Sequence, residues 1–375
     1  MALAYQQPSY GKAHRVTIDD VSDALGLTKS TVSRALNDYP DIAETTRLRV
    51  RNMADKMGYR PLSHAQAIRT GLTKSLGLLI QMADHDAQRP FLAEFLSGVS
   101  QGASAEGWTL TLAATESPED TIDTFQNMIR DHRVDGFILP RTMIHDARID
   151  LLRRAKVPFV LFGRSPDPTD CAWFDVLGED AMRDAVHHLA GLGHRNIGFI
   201  NGGMQYTYGP LRRDGFLTAM KEAGLEVTPE LLRENAVTIP SGEVAARQLL
   251  MSQTPPTAIV CAVDMAALGV YRAAAEFGFR IGSDLSVIAY DGSPDGAHLT
   301  PQLSTFAVDF TASGKRLSAL LIRRIKGEAP EDLRETVKPS FLDRGSAGRP
   351  AKTSGQLAEI VAQQTNQKTL MGGSQ

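Results

Sequence analysis

The chain has 375 residues, of which 42% are hydrophobic and 22% are charged. These values are those of an ordinary globular protein, and the length predicts two or three domains. They exclude a disulfide-stapled mini-protein, a fibrous repeat and a wholly disordered chain. The first fifteen residues lack the apolar segment of a signal peptide, and the sequence contains no run of about 18 apolar residues for a membrane span. We therefore expect a cytoplasmic protein without a membrane partner.

The net charge of −3 is unevenly distributed along the chain. Residues 1–70 contain ten Lys or Arg against seven Asp or Glu, whereas the remainder contains thirty against thirty-six. A small basic module on an acidic body is compatible with a nucleic-acid reader, although so small an excess also arises by chance. Cys171 and Cys261 have neither a metal spacing nor a secretory context, so we expect two small buried hydrophobes.

Residues 14–60 contain three short helical patterns and no strand pattern. Thr17 is a candidate N-cap for the first helix, and Gly26 permits a tight turn after it. Thr28 is a candidate cap for a second helix whose outer face is polar, formed by Lys29, Ser30, Ser33, Arg34 and Asn37. A third helix is predicted over about 45–57. Two helices joined by a glycine turn are typical of a helix-turn-helix that binds a DNA major groove, and a small helical packing domain is the alternative.

From Leu76 onward, short apolar runs alternate with amphipathic stretches, a pattern that predicts an α/β fold. The candidate strands are Leu76–Met82, Trp108–Ala114, Val134–Leu139, Val157–Phe162, Asn196–Asn201, Thr257–Val263 and Leu285–Tyr290. Nearly continuous apolar strands linked by helices favour parallel sheets covered on both faces. The ~270 residues involved exceed the usual size of one such sheet, so we expect two subdomains, with crossovers near 162–176 and 303–310.

Ligands of parallel α/β sheets bind beyond the carboxyl ends of the strands, and charged residues follow several of the predicted strands. These residues are Asp84, Arg141, Arg164, Asp264 and Asp291. Two facing subdomains would form a cleft for a polar small molecule, in which carboxylates accept from hydroxyls and arginines donate to oxygens. For each single residue, a solvated loop position is the alternative. The tail at 347–375 is rich in Gly, Ser and Gln and is predicted to be disordered.

A resemblance to a known family spans most of the chain. Residues 16–61 resemble the DNA-binding headpiece of the lactose and galactose repressor (LacI/GalR) family, most clearly in TVSRALN, TRLRV and GYRP. The similarity continues to residue 346 through VDGFIL, GHRNIGFING, RRDGFLTAM and DLSVIAYDG. It implies an all-α helix-turn-helix headpiece at 14–61, a hinge helix and linker at 62–74, and a body at 75–346 that resembles periplasmic binding proteins. The two subdomains of that body would comprise roughly 75–175 with 308–330, and 176–305.

The resemblance implies roles for residues of the headpiece and hinge. Lys29, Ser30 and Arg34 occupy base-reading positions, and their donors suit acceptors in the major groove. Contacts that hold the phosphate backbone are implied for Thr17, Thr31, Ser33 and Asn37, with the capping residue Thr28 beside them. Residues 63–70 resemble the hinge helix, whose minor-groove wedge would be Ile68, flanked by Ala65 and Arg69. An ordinary linker contact is the alternative for Ile68, which is stiffer than the leucine of the family.

In the body, the resemblance assigns effector contacts to Arg212, in RRDGF, and to Asp291, in AYDG. Phe91 resembles an aromatic residue against which a ring packs, and Asp175 lies near a crossover. The full set of candidate effector residues is Asp84, Phe91, Arg141, Arg164, Asp175, Arg212 and Asp291. Val263 stands where the family often has an asparagine, so the identity of the effector does not transfer to this chain.

The sequence contains no catalytic constellation. GxSxG, GxxxxGK[ST] and HExxH motifs are absent, and His187, His188 and His194 lack partners at a metal spacing. We expect no enzyme activity, metal or cofactor, with a sugar hydrolase as the formal alternative. We expect a homodimeric transcriptional repressor that binds pseudo-palindromic operator DNA and responds to a sugar-like effector. An activator or a corepressor-dependent regulator is one alternative, and a solute-binding sensor without a DNA role is another.

Overall fold

The computed structural model describes residues 16–59, 71–81 and 89–372. The chain divides into two compact units, a headpiece that ends at Thr73 and a body that begins at Lys74. The predicted DNA contacts Ala65, Ile68 and Arg69 and the predicted effector contact Asp84 lie outside the described residues. Among the residues described, no helix is both long and apolar enough to cross a bilayer.

The described part of the headpiece contains α1 (Ile18–Leu25), α2 (Lys29–Leu36) and α3 (Glu44–Met57). Thr17 and Asp20 form a capping box at the start of α1, and Gly26 ends that helix in the left-handed conformation. Thr28 caps α2 by accepting from the Thr31 N–H. Both predicted caps are therefore confirmed. The three helices bury a shared core of Val21, Leu25, Val32, Ala35, Val50 and Ala54.

The body alternates strands and helices, as predicted. Its first part contains β1 (Ser75–Gln81), α4 (Arg89–Ala105), β2 (Thr109–Thr115), α5 (Pro118–Arg130), β3 (Gly136–Pro140), α6 (Ala147–Ala155), β4 (Phe159–Phe162) and β5 (Ala172–Val176). The chain continues through α7 (Gly178–Gly191), β6 (Ile197–Ile200), α8 (Tyr208–Glu222), β7 (Leu232–Arg233), α9 (Ile239–Leu250), β8 (Ala258–Cys261), α10 (Asp264–Glu276), β9 (Ser286–Asp291) and β10 (Ser304–Ala307). It ends with α11 (Phe310–Ile325), β11 (Arg334–Val337), β12 (Ser340–Leu342) and α12 (Ser354–Gly372).

Two sheets organise the body, and we call the layers built on them the first and second subdomains. In the described residues, the first sheet has the order β2-β1-β3-β4-β5-β11 and is parallel throughout. The second sheet has the order β7-β6-β8-β9-β10-β12, and β12 is its antiparallel edge strand. The sequence predicted neither β5 nor the strands β7, β10, β11 and β12.

In the part of the body that the structure describes, the chain passes between the subdomains at three points: after Val176, after Ala307 and after Val337. The predicted crossover at 303–310 contains one of these points. The crossover predicted at 162–176 lies too early in the chain, because residues 172–176 form β5 of the first sheet. The third crossing was not predicted. It returns β11 to the first sheet and then sends β12 to the second.

Helix α11 completes the first subdomain by packing closely on α4. A Cβ atom on Gly98 would lie 2.2 Å from the Thr311 carbonyl oxygen, and one on Gly314 would lie 2.6 Å from the Phe95 carbonyl oxygen. Both distances are below van der Waals contact, so a larger residue at either position would push the helices apart. This contact fixes α11, from late in the chain, against α4, which lies near the start of the body.

The carboxyl-terminal tail contradicts the prediction of disorder. Residues 354–372 form α12, and Leu357 and Val361 are buried in the core of the second subdomain. The Asn196 amide also donates to the Ser354 hydroxyl, at 3.3 Å. The composition of the tail favoured disorder. The helix is stable because its apolar residues are buried against an apolar surface of the second subdomain, which an isolated helix of this sequence would lack. The prediction of two buried, unbridged cysteines at 171 and 261 is confirmed.

Candidate functional site

The polar face of α2 is one candidate site. Val32 and Ala35 point into the headpiece core, which leaves the other side of the helix exposed. Thr28, Lys29, Ser30 and Arg34 are exposed, as is Thr17 at the start of α1. Thr31, Ser33 and Asn37 are half-buried, and the Asn37 amide donates to the Ser33 carbonyl at 2.7 Å. All eight predicted headpiece contacts therefore retain solvent access.

Carboxylates from neighbouring elements contact both cations on this face. The Lys29 ammonium lies 2.5 Å from an Asp19 carboxylate oxygen on α1. The Arg34 guanidinium forms an ion pair with Asp41, and its central carbon lies 5.3 Å from the centre of the Tyr39 ring. Neither carboxylate was predicted from the sequence.

The second candidate site is a cleft between the two subdomains of the body. The space between its walls is about 940 Å³, a value that includes the open solvent at its mouth. Residues at the carboxyl ends of β3, β4 and β5 supply one side, and residues near β8, β9 and the start of α8 supply the other. The carboxyl ends of parallel strands thus face each other across the cleft, as the topology predicts.

Arg212 is the central cation of the cleft. Its side chain is only 8% exposed, and one terminal nitrogen donates to the Ala262 carbonyl at 2.5 Å. The guanidinium carbon lies 3.9 Å from the centre of the Tyr290 ring and 4.5 Å from that of Tyr208. Gly178 makes room for it, since a Cβ there would lie 2.7 Å from the Arg212 Nε. That Nε is buried and has no hydrogen-bond partner within the described part of the chain.

Asp291 lines the cleft beside this arginine. Burial raises the pKa of its carboxyl, while the charges of Arg212 and Arg141 oppose the shift. Arg141 contributes a second cation, whose central carbon lies 4.4 Å from the Tyr206 ring centre. One Arg141 terminal nitrogen is buried and likewise lacks a partner among the residues described. The cleft therefore offers buried donors and an acceptor for a polar ligand.

Asp264 does not lie at the rim, where it was predicted. It is 1% exposed and sits behind Asp291, where it accepts from the Ser293 N–H at 2.6 Å and from the Thr305 hydroxyl at 2.7 Å. Burial raises the pKa of the Asp264 carboxyl, and the charge of Asp291 adds to the shift. The adjacent Val263 lines the cleft in its place.

Arg164 is already neutralised within the cleft wall. Its Nε donates to Asp175 at 2.6 Å, and a terminal nitrogen donates to Glu179 at 2.5 Å. Burial raises the pKa of the Asp175 carboxyl even though Arg164 acts in the opposite direction. These three side chains form a hydrogen-bonded group, whereas Arg141 and Arg212 each keep a buried nitrogen without a partner among the described residues.

Aromatic rings form the apolar wall. The ring centres of Phe91 and Phe310 are 4.9 Å apart, and those of Phe162 and Phe310 are 6.3 Å apart. Phe162 stacks in turn on Phe95, with an interplanar angle of 8°. A flat apolar ring face can pack on such a wall while its polar edge meets the arginines and Asp291.

Two loops, residues 142–144 and 205–207, contact each other beside the cleft, and we call this contact the cleft clasp. Met143 and Tyr206 make an antiparallel bridge, with the Thr207 N–H donating to the Thr142 carbonyl at 3.0 Å. The two threonine hydroxyls lie 2.6 Å apart. Arg141 and Tyr208 flank the clasp in sequence and also line the cleft. A ligand in the cleft therefore touches residues next to a direct contact between the subdomains.

The structure brings most of the predicted effector residues together. The cleft is lined by Phe91, Arg141, Arg164, Asp175, Arg212 and Asp291, although they come from distant parts of the chain. Glu179, Tyr208 and Tyr290 also line the cleft and were not predicted from the sequence. Tyr290 directly precedes Asp291, and Tyr208 begins α8, but an aromatic residue beside a strand or helix end is more commonly a core residue.

A helix-turn-helix headpiece joined to a two-subdomain body with an internal cleft defines a ligand-responsive DNA-binding regulator. Residues 17–62 match "Bacterial regulatory proteins, lacI family", and residues 186–347 match "Periplasmic binding protein-like domain". The chain belongs to the LacI family of transcriptional regulators, as the sequence indicated, and this membership confirms a regulator rather than an enzyme.

Full-length relatives support the assignment. The chain is 33% identical to the HTH-type transcriptional regulator AglR of Rhizobium meliloti (strain 1021), over 89% of this chain and 94% of AglR. It is 30% identical to the HTH-type transcriptional regulator RafR of Escherichia coli, over 90% of this chain and all of RafR. It is 28% identical to the HTH-type transcriptional repressor PurR of Pasteurella multocida (strain Pm70), over 88% of this chain and 98% of PurR.

Solved structures share the fold. The lac repressor dimer bound to operator and the anti-inducer ONPF matches with a TM-score of 0.74 and 25% identity, over 89% of this chain and 99% of the repressor chain. The transcriptional regulator CelR in complex with cellobiose matches with a TM-score of 0.69 and 26% identity, over 89% of this chain and 100% of CelR.

Proposed function

We propose that the protein is a homodimeric repressor of carbohydrate uptake or utilisation genes, released from its operator by a sugar-like effector. Two headpieces related by twofold symmetry would bind the half-sites of a pseudo-palindromic operator. Lys29, Ser30 and Arg34 would read base edges, while Thr17, Thr28, Thr31, Ser33 and Asn37 would hold phosphates. Ala65, Ile68 and Arg69 are proposed as minor-groove contacts of the hinge.

The chemistry of the cleft carries the proposal for the effector. Arg141 and Arg212 each bury a donor nitrogen that lacks a protein partner within the described residues, and Asp291 lies beside them as an acceptor. A sugar offers hydroxyls that accept from the arginines and donate to the carboxylate, together with an apolar ring face for the Phe91 and Phe310 wall. An apolar effector would leave these polar groups unpaired at a cost in affinity.

The cleft clasp supports a route from effector to DNA. Arg141 belongs to the first subdomain and Arg212 to the second, so a ligand that binds both favours one relative setting of the two. We propose that the shift would reach the linker at 62–74, and that the two copies of this linker would order on the operator. By linkage, an effector that weakens DNA binding binds less tightly to the DNA-bound form.

Relatives support the finer assignments. PurR is named a repressor, CelR has been captured with cellobiose, and the lac repressor has been captured as a dimer on its operator. Val263 replaces an asparagine that is common in the family, which removes an amide from the cleft. We therefore propose the class of effector and not an individual sugar.

The first experiment measures binding of the purified full-length protein to its own upstream intergenic DNA. It uses about 150 mM salt with excess nonspecific competitor, because phosphate contacts alone weaken steeply with salt. A panel of mono- and disaccharides, with cellobiose included, is added in turn. Release of the DNA by one sugar supports a repressor with an inducer. Retention only with a sugar identifies a corepressor instead, and absence of sequence-specific retention contradicts a role in reading DNA.

Arg212→Ala separates the two sites. We expect this variant to bind the DNA as the wild type does and to lose the response to the sugar. Arg213→Ala is the matched control, because Arg213 is the adjacent arginine on α8 and pairs instead with Glu234, at 3.5 Å. Loss of response in both variants would show a general disturbance of α8, and a full response in Arg212→Ala would place the effector elsewhere.

A further inference from the structure

We propose that Asp19 and Asp41 determine DNA specificity by occupying the two cations of α2 and repelling phosphates that approach them. In this arrangement, Lys29 and Arg34 contribute little to binding on random DNA and contribute fully where bases offer acceptors in the correct positions. The inference rests on the proposed function, in which Lys29 and Arg34 read bases.

The charge of the headpiece is the first observation. Residues 16–59 contain six Lys or Arg against seven Asp or Glu, so the folded helices carry a net charge of −1. Nonspecific affinity for DNA comes from cations that replace the counter-ions of phosphates. A headpiece with this charge gains little from that source unless its cations are free to reach the backbone.

Asp19 controls the amino-terminal end of α2. It lies in the first turn of α1, and its carboxylate oxygen is 2.5 Å from the Lys29 ammonium at the first position of α2. Lys29 is 65% exposed and Asp19 is 48% exposed, so both remain accessible to a bound duplex. Thr17, a proposed phosphate contact, is two residues from Asp19. A phosphate held at Thr17 therefore approaches a carboxylate as well as the ammonium.

Asp41 controls the carboxyl-terminal end of α2. It reaches back from the loop after the helix to pair with the Arg34 guanidinium, which also lies near the Tyr39 ring. Arginine has five N–H donors in a planar fork, so an edge paired with Asp41 leaves the other donors for a guanine. The carboxylate is thus compatible with a base contact and also limits the directions in which the guanidinium points.

The same two carboxylates act differently on the two classes of contact. A phosphate carries a full negative charge, so it competes with the carboxylate for the cation and is repelled by the carboxylate. A base edge in the major groove offers neutral acceptors, which add to the ion pair without displacing it. The ion pairs therefore weaken binding to random DNA more than binding to the operator.

The expected effect follows from counter-ion release. Replacing either carboxylate with an amide frees one cation for a phosphate, so the slope of log affinity against log salt steepens by about 0.9. Relative to 1 M salt, that change gives about fivefold tighter binding to random DNA at 0.15 M salt. We expect a gain of less than about twofold on the operator, because its base contacts are already made.

The test compares Asp19→Asn, Asp41→Asn and Asp55→Asn in the full-length protein. Asp55 is the matched control because it is exposed on α3 and its replacement changes the net charge equally. Affinity is measured from 0.05 to 0.3 M salt, a range over which a single contact changes log affinity by about 0.7. One probe is a random-sequence duplex, and the other is the equal-length duplex that the wild type most enriches from a random library. Thermal unfolding of each variant checks that the headpiece remains folded.

The proposal is supported if Asp19→Asn and Asp41→Asn bind the random duplex more tightly and with a steeper salt slope, while Asp55→Asn behaves like the wild type. The ratio of the two affinities would then fall about threefold or more. Equal behaviour of all three variants would overturn it, as would weaker binding to the enriched duplex with no gain on the random one. If the wild type enriches no sequence, the proposed function fails separately, and an unchanged slope on the random duplex still overturns the role of the carboxylates.

Discussion

Replacing Leu357 with alanine measures how firmly α12 belongs to the body. The Leu357 side chain is completely buried in the core of the second subdomain, beside Val361 and the half-buried Ile360. A fully buried Leu→Ala change removes transfer free energy and leaves a cavity, and typically lowers the free energy of unfolding by about 2–5 kcal/mol. A leucine on a disordered tail would lower it by less than about 0.5 kcal/mol.

Urea unfolding monitored by far-ultraviolet circular dichroism gives the free energy of unfolding. Gln363→Ala on the exposed face of α12 is the control. The two tryptophans, Trp108 and Trp173, belong to the first subdomain, so their fluorescence reports that subdomain separately. We expect the larger shift in the dichroism transition. A Leu357→Ala midpoint indistinguishable from that of Gln363→Ala would refute the docking of α12.

Two further predictions concern His194 and Arg34. His194 is 1% exposed and hydrogen-bonded to Thr257, Ser286 and the Gly348 carbonyl, and burial lowers its pKa. As the pH falls, the unfolded chain therefore protonates His194 before the folded chain does. The stability advantage of the wild type over His194→Asn should then shrink by up to about 1.4 kcal/mol between pH 7.5 and 5.5, as measured by urea unfolding. A constant difference would exclude a neutral buried imidazole. Arg34→Ala should weaken the binding free energy on the operator by about 1–3 kcal/mol and relax the preference at one base pair. Selection from a random library would detect the relaxed preference, and an unchanged preference would show that Arg34 does not read a base.

Local signals in the sequence predicted the headpiece well. Thr17 and Thr28 cap helices through bonds to residues three positions along the chain, and Gly26 adopts the left-handed backbone that ends α1. Such contacts depend on a few neighbouring residues and can be recognised in a single sequence. The inner strands could also be predicted, because their long apolar runs are likewise a local feature of the sequence.

The missed elements depend on distant partners. The strand β11 reads RETV and is largely polar, and it is held as an edge strand by parallel pairing with β5, about 160 residues earlier. Helix α12 buries Leu357 and Val361, and their burial relies on a surface made by other parts of the chain. Neither strand pairing nor a docking surface is encoded in the local pattern of apolar residues.

The candidate site was predictable to the extent that topology determines it. Charged residues after β3, β4 and β9 were expected at one edge, and Arg141, Arg164 and Asp291 do line the cleft. The position of Asp264 was not predictable, because it depends on donors from Ser293 and Thr305 that turn the carboxylate inward. Sequence pattern also gave no sign that Asp41 would reach Arg34, since that contact depends on the conformation of a loop.

The threefold passage of the chain between the subdomains has a consequence for biosynthesis. The first sheet lacks its edge strand, and α4 lacks its helical neighbour, until residues 310–337 have left the ribosome. The three described helices of the headpiece, by contrast, lie within the first 59 residues. During translation, the DNA-binding unit can therefore fold early, whereas the unit that would sense the effector is completed only near the end of synthesis.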